Sequence, residues 1–229
     1  MKKILFLLIF STSLIAQKIE FIALQDNIKD KRGLIKSLTL MDSRPDKEIG
    51  QLAFKDSSVQ IKFRSDDLKS YVENWFSEYN EEKGNSDIIL MLEELKVYDE
   101  QDKDQKHAFG KVKIKISSFL KRNDRYYFIN RFENVIVSDP KRTSNMPRYL
   151  AHTISEVLTA FIKSSFTTTV SGQYIPENEI NNYDDYLTKY NIAYTASALK
   201  DGYIKILKAF HHKSPHSGII QRKTERGML

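Results

Sequence analysis

The stretch Ser65–Leu92, a helical pattern followed by a fully apolar run, constrains the fold of this chain more than any other. Apolar and aromatic residues recur at helical spacing from Leu68 to Tyr79. Ser65 is predicted to cap the start of that helix, and Gly84 to supply the left-handed residue after its end. The run Ile88–Leu92 contains no polar residue, which is typical of a strand covered on both faces. We therefore predict one amphipathic helix leading into a central strand.

Strand patterns lie on both sides of this unit, and a second helical pattern follows them. The order of strands, helix, strands and helix, with tight turns between strands, predicts an α+β fold. Its expected form is a two-layer domain, with a mostly antiparallel sheet, two amphipathic helices on one face and a C-terminal extension. The expected strands are 18–24, 34–41, 49–54 with 59–63 as a hairpin, the central strand 87–98, and 111–115 with 126–132 as a longer hairpin that 135–137 could extend. The second helix is expected at 147–166, and a short helix around Tyr183, Leu187 and Tyr190.

The first sixteen residues have the pattern of a secretory signal. Lys2 and Lys3 precede a run of apolar residues, and the small residue Ala16 is the expected cleavage site. The run is shorter than the roughly 20 apolar residues that a membrane-spanning helix needs, although an uncleaved anchor is an alternative. The chain has no cysteine, so neither a disulfide nor a lipid-bearing cysteine is available. We expect an exported protein, periplasmic or envelope-associated, with no transmembrane span after signal cleavage.

Positive charge is concentrated at the C-terminal end of the chain. The formal net charge is +6, and the segment 200–229 carries seven Lys and Arg against two Asp and Glu, or +5. After removal of Lys2 and Lys3, the body from 17 to 199 is left at −1. We therefore divide the chain into a signal (1–16), an α+β domain (17–170) and a basic C-terminal extension (171–229). A nearly neutral body on an exported chain argues against nucleic acid as a partner.

Three histidines near the C-terminus form the strongest metal-like cluster of the sequence. His211, His212 and His216 lie within six residues, and imidazole is a common ligand of zinc and copper. No carboxylate accompanies them, and Lys213 adds repulsion toward a cation. A solvated basic turn is the preferred interpretation, so we assign no metal or cofactor site.

Two other groups of residues offer weaker signals for catalysis. Asp42, Arg44 and Asp46 follow a predicted strand, where active-site loops often lie, but such residues more often pair with each other in a turn. His107 and His152 are isolated, and no nucleophile motif surrounds either of them. We assign no catalytic residue and expect a protein that is not an enzyme.

Two further features of the sequence resemble binding sites. Lys111, Lys113 and Lys115 alternate along a strand and could attract phosphate, but lysines in this pattern more often form an exposed face. Trp75 lies on the apolar stripe of the first helix, so we predict a core residue instead of a ligand-binding aromatic.

The order of these elements resembles the envelope-lipoprotein family typified by YajG. The resemblance covers about residues 34–166. The features that carry it are Asp42-x-Arg44 after a strand, Ile49-Gly50 opening a hairpin, the helix Leu68–Tyr79, the strand Ile88–Leu92 leading to Leu95, and the closing helix Leu150–Ile162. It implies a non-enzymatic protein of the cell envelope and supplies no catalytic residues. The lipid-bearing cysteine of the family is absent here.

The C-terminal extension has a resemblance of its own. Gly202-Tyr203, with Phe210 and Pro215 at fixed distances behind it, is similar to a pattern that recurs in uncharacterised exported proteins of Bacteroidota. Ile204 stands where an aromatic residue is common in that pattern. The resemblance implies an envelope setting and no activity.

These observations lead to three functional expectations. The first is an exported, non-catalytic cell-envelope protein that acts through contacts with another envelope protein. The second is a binding module for anionic envelope lipids or glycans that uses the basic C-terminal tail and the lysines at 111, 113 and 115. The third and least favoured is a hydrolase of unrecognised type.

Overall fold

The computed structural model describes residues 18–81, 83–101, 108–166, 170 and 174–189, and the predicted signal and the basic segment 200–229 lie outside these ranges. Within them the chain has a mixed α/β fold with an eight-stranded sheet and three α-helices. The strands are β1 Lys18–Ile22, β2 Ile35–Asp42, β3 Gly50–Phe54, β4 Ser57–Phe63, β5 Ser86–Gln101, β6 Ala108–Arg122, β7 Arg125–Ser138 and β8 Ile175–Pro176. The helices are α1 Leu68–Tyr79, α2 Met146–Ser165 and α3 Tyr183–Lys189, with a 3-10 helix at Glu177–Asn182 before α3.

The predicted central strand is confirmed as β5. It pairs with β2, β3 and β6, and the sheet runs in the order β1-β4-β3-β5-β6-β7-β8. Its apolar run is divided between two hydrophobic cores. Ile88, Leu90 and Leu92 belong to one core, while Ile89 and Met91 belong to the other. A strand with apolar residues in a row therefore buries both of its faces, as expected for a central position.

The sheet combines antiparallel and parallel pairs. The predicted hairpin β3–β4 is confirmed, and β5, β6, β7 and β8 pair antiparallel in turn. In contrast, β1 pairs parallel with β4, and β2 pairs parallel with β5. A single parallel pair, Gly50 with Val97, joins β3 to β5. The parallel pairs come from connections longer than a turn, which local patterns do not reveal.

The cap of α1 differs from the prediction. Ser65 does not begin the helix; Asp67 is the N-cap, and its carboxylate accepts a 3.0 Å hydrogen bond from the Ser70 amide. The helix ends at Tyr79 with Asn80 as its C-cap. The Asn80 side-chain amide donates to Phe76 O over 2.9 Å and so closes the last turn before Gly84 is reached.

Gly84 therefore has another role than the predicted left-handed cap. Among the described glycines, positive φ values occur at Gly33 and Gly50 and not at Gly84. A Cβ atom at Gly84 would lie 2.4 Å from the carbonyl oxygen of Leu34. The amides of Asn85 and Ser86 donate to that same carbonyl where β2 and β5 begin to pair. The glycine is required by a close approach of two backbones.

The two predicted amphipathic helices contribute to one core. Leu68, Val72 and Phe76 of α1 join Leu150 and Phe161 of α2 in the larger buried cluster on one side of the sheet. The rings of Phe76 and Phe166 meet edge to face with centroids 6.0 Å apart. Both helices thus contribute side chains to the same buried cluster.

The other side of the sheet is covered by residues that follow α2. Ile175, Ile180 and Tyr183 are buried against Ile89, Met91, Phe119 and Tyr126. The ring of Tyr183 meets that of Phe119 edge to face, with centroids 5.0 Å apart. The predicted short helix around Tyr183 is confirmed as α3, and this part of the C-terminal extension packs on the sheet. No helix in the described part of the chain is long and apolar enough to cross a membrane.

Candidate functional site

Asp42, Arg44 and Asp46 form ion pairs within and beside a tight turn. The Arg44 guanidinium, with 5% of its side chain exposed, donates to both Asp42 carboxylate oxygens over 2.8 Å and to Lys47 O over 3.1 Å. Asp46 pairs with Lys96 on β5. Burial alone would raise the pKa of Asp42, but the hydrogen bonds and charge of Arg44 hold it below its ordinary value. The geometry favours the turn-pairing interpretation over a catalytic one.

The lysine stripe of β6 is neutralised by carboxylates of β5. Lys111 pairs with Glu100, Lys113 Nζ lies 2.9 Å from a Glu94 oxygen, and Lys115 Nζ lies 3.0 Å from a Glu93 oxygen. The register places these lysines opposite Tyr98, Lys96 and Glu94, so the ion pairs are diagonal contacts between the two strands. These lysines do not form an open cationic surface for phosphate.

Of the five histidines, the structure describes one, His152. His152 lies on α2 with 69% of its side chain exposed, and its Nε2 is 3.7 Å from a Glu156 oxygen. His107, His211, His212 and His216 lie outside the described residues. In the part of the chain that the structure describes, no group of three or more His, Asp or Glu side chains could hold a metal ion.

Trp75 is a core residue, as predicted. Its side chain is buried in the larger cluster, and the indole Nε1 donates to Asp26 O over 3.0 Å. Because the polar atom of the ring is satisfied and the ring is covered, Trp75 presents no surface to a ligand.

A cluster of polar side chains that the sequence analysis did not find lies beneath α3. This Glu93 cluster consists of Glu93, Lys115, Ser117, Arg131, Tyr183 and Asp184. Ser117 Oγ donates to Glu93 over 2.7 Å, and the Tyr183 hydroxyl donates to the same oxygen over 3.0 Å. Arg131 donates to the Tyr183 hydroxyl and to Asp184. The cluster therefore joins three strands to α3.

The electrostatics of the Glu93 cluster indicate a structural role, in which the cluster holds α3 on the sheet. Its two carboxylates and two cations balance, and Lys115 contacts both Glu93 and Asp184. Burial raises the pKa of the Tyr183 hydroxyl far above its ordinary value, so that it stays protonated and can donate. Ser117 is fully buried and hydrogen-bonded, which leaves it no access to a substrate. The only sequence signal was a serine pair inside the apolar run of β6.

An open groove lies between β1 and the start of α2. This β1–α2 groove has a volume of about 780 Å³. Its walls come from β1 and the residues after it, from the end of β7, from the 139–145 loop and from the first two turns of α2. Phe21 and Tyr149 give it apolar surface, and 780 Å³ lies within the range of small-ligand sites.

The charged side chains of this groove include cations that have no partner among the described residues. Arg64, Arg142 and Arg148 line it together with Glu20 and Asp139. Arg142 Nε lies 3.9 Å from the Asp139 Oδ2 atom. The guanidinium groups of Arg64 and Arg148 make no hydrogen bond or ion pair to any other described residue. His152 also lines the groove and would add positive charge when protonated.

The strand that borders this groove has an open edge. Within the described residues, β1 pairs only with β4, and the last residues of β7 pair only with β6. Ile19 is 42% exposed and Phe21 is 45% exposed on this edge strand. An edge strand with unpaired backbone groups and exposed apolar side chains is a template for pairing with another strand.

No family model matches the chain, and searches of the curated proteins and of the solved structures found no similar protein.

Proposed function

We propose that this chain is an exported, non-catalytic protein of the cell envelope that works through protein contacts. Its scaffold would be the two-layer α+β domain with a mostly antiparallel sheet that the sequence predicts. The observation that carries the proposal is the open edge of β1, with Ile19 and Phe21 exposed beside the groove. The signal pattern of residues 1–16 and the resemblance to the YajG-type family support the envelope setting.

The organisation of the polar groups supports a contact role over a catalytic one. The Asp42–Arg44 pair is closed on itself, and the Glu93 cluster is balanced and covered by α3. An enzyme would need a nucleophile or an acid–base pair that reaches a substrate. The groove offers arginines and apolar surface, which suit recognition.

The proposal is tested by site-specific photocrosslinking in the native envelope. A photoreactive amino acid replaces Phe21 in one variant and the exposed Lys69 of α1 in a control. The expected result is one or a few protein adducts from position 21 that are absent from position 69, identified by mass spectrometry. Adducts to lipid or glycan alone from position 21 would overturn the proposal. Fractionation of the same cells shows whether the mature chain is soluble or envelope-associated.

The second candidate function is binding of anionic envelope lipids or glycans through the basic tail. The observation that favours it is the charge of +5 in residues 200–229. Because the lysine stripe is paired with β5 carboxylates, this function would rest on the tail alone. Binding to anionic vesicles should weaken steeply as salt rises and should disappear when 200–229 is deleted. Co-sedimentation that is unchanged by the deletion would contradict it.

A further inference from the structure

We propose that the β1–α2 groove binds an extended, acidic segment of a partner protein, which adds as a strand to the open edge of β1. The inference rests on the proposed function and deepens it by naming the chemistry of the partner. Three observations carry it: within the described residues, one edge of β1 has no strand partner, apolar side chains are exposed on that edge, and two arginines beside it have no partner.

The backbone of β1 supplies the first part of the site. Its five residues pair with β4 on one side, and their outward N–H and C=O groups have no strand partner among the described residues. An incoming strand would satisfy those groups in the way that strand-adding peptides do elsewhere. At about 3.3 Å per residue, five residues accommodate a segment roughly 16 Å long.

The side chains along the groove supply selectivity for apolar residues at alternate positions. Phe21 and Tyr149 provide apolar contact surface, and Ile19 extends the exposed apolar edge of β1. Successive residues of a strand point to opposite sides, so a bound segment would place every second side chain on this surface. The remaining side chains of the segment would face the rim of the groove, which carries the charged residues of its lining.

The rim sets the charge of the occupant. Three arginines line the groove against the two carboxylates of Glu20 and Asp139. Asp139 lies near Arg142, and Arg64 and Arg148 have no anionic partner in the described structure. Carboxylates of a bound segment would pair with the guanidinium groups of these arginines through charge-assisted hydrogen bonds. The basic tail of this chain, at +5 over residues 200–229, carries the wrong charge for the same position. Charge complementarity therefore favours a separate acidic partner.

The test uses the full mature chain and two synthetic peptides. One is an amidated eight-residue peptide of alternating glutamate and valine, and the other replaces glutamate with lysine. Isothermal titration should show binding of the glutamate peptide that weakens with added salt, and at least tenfold weaker binding of the lysine peptide. Equal binding of the two peptides, or no binding of either, overturns the inference.

Strand addition is separated from simple charge attraction by two further peptides. Each carries N-methyl groups on alternate amides of the glutamate peptide, in complementary sets. A strand that pairs along one edge needs the amides of one set only. One methylated peptide should therefore bind as well as the parent, and the other should lose binding. Equal loss or equal retention in both would show that no strand is added.

Protein variants test the arginines. Arg64→Ala and Arg148→Ala should each weaken binding of the glutamate peptide about threefold to tenfold. Arg122→Ala is the matched control, since Arg122 lies outside the groove lining, and it should leave binding unchanged. Equal effects of all three variants would contradict a localised site.

The crosslinking experiment distinguishes failure of this inference from failure of the proposed function. Adducts from position 21 to a second copy of this chain, to its own residues 200–229, or to a partner region without acidic residues would overturn the acidic-segment inference and leave a contact function in place. Adducts to an acidic extended region of a partner would support both. Absence of protein adducts would overturn both.

Discussion

The Tyr183 hydroxyl donates a 3.0 Å hydrogen bond to Glu93 Oε2 and joins α3 to β5 across 90 residues of sequence. Tyr183 is 2% exposed, and Arg131 and Ser117 contact the same hydroxyl. The bond fastens the segment after α2 to the second face of the sheet. The strength of this attachment can be measured.

Removal of that hydroxyl should loosen the attachment. We expect Tyr183→Phe to lower the free energy of unfolding by about 1–2 kcal/mol, because Glu93 and Arg131 each lose a buried partner. Urea unfolding measures the loss, and limited proteolysis should cut residues 174–189 faster. Tyr186→Phe is the control, since the Tyr186 hydroxyl makes a 3.4 Å exposed contact to Tyr174 O. Equal effects of both variants would show that the cluster has no special role.

The same cluster predicts a loss of stability at alkaline pH. Burial raises the pKa of Tyr183 above its ordinary value of 10.0, so the folded chain holds this proton more tightly than the unfolded chain. Burial disfavours the charged form of Lys115, but the hydrogen bond and charge of Glu93 raise its pKa above 10.5. A raised pKa gives stability that is complete below the unfolded value and is lost as the pH rises above it.

The free energy of unfolding should therefore fall above about pH 10. Its slope should be smaller in Tyr183→Phe, by at most about 1.4 kcal/mol per pH unit for one proton. Urea unfolding of both chains at intervals from about pH 8 to 11 measures the two slopes. Parallel curves of unfolding free energy against pH for the wild type and the variant would show that Tyr183 does not cause the alkaline loss of stability.

The elements with continuous patterns could be predicted from the sequence. The five apolar residues of Ile88–Leu92 indicated a buried central strand, and the stripe of α2 indicated its long helix. The start of α1 was missed because Ser65 and Asp67 are both good caps. The choice between them depends on where the chain leaves β4 at Phe63.

The contacts between distant segments could not be predicted. Glu93, Arg131 and Tyr183 each occupy an ordinary position in a local pattern, and their meeting depends on how β5, β7 and α3 are stacked. The parallel pairing of β1 with β4 likewise depends on a long connection. The groove beside β1 follows from that pairing, so no local sequence pattern indicates it.

Lysine should not be able to replace Arg44 in the ion pair with Asp42. Arg44→Lys should lower the free energy of unfolding by about 1–2 kcal/mol, because an ammonium cannot reproduce the two-point contact with the carboxylate. The lowered pKa of Asp42 adds stability above its ordinary value of 3.8 that is lost as the pH falls. The variant should therefore be less sensitive to acid. Lys47→Ala is the comparison: it removes a 59% exposed partner of the same Asp42 carboxylate and should lower stability less than Arg44→Lys.

Thr159 carries a hydroxyl that the fold leaves unsatisfied. Its Oγ1 atom is buried without a hydrogen-bond partner in the described structure. Thr159→Val keeps the shape and removes the polar atom, so the free energy of unfolding should rise by about 1 kcal/mol. Thr153→Val on the same helix is the matched control, because its Oγ1 donates to Tyr149 O over 2.9 Å. That variant should lose stability, and a rise in both would point to helix propensity.

Gly84 should not tolerate a side chain. In Gly84→Ala, the new Cβ would lie 2.4 Å from Leu34 O and 2.5 Å from Ile35 C, both backbone atoms of the paired strands. Because neither strand can move without breaking the β2–β5 pairing, we expect a loss of about 2–3 kcal/mol in the free energy of unfolding. Gly33→Ala is the comparison: it has φ of +62° and open space, so about 1 kcal/mol is expected from backbone conformation alone. Urea denaturation ranks the two variants, and an equal or smaller loss at Gly84 would contradict the close approach.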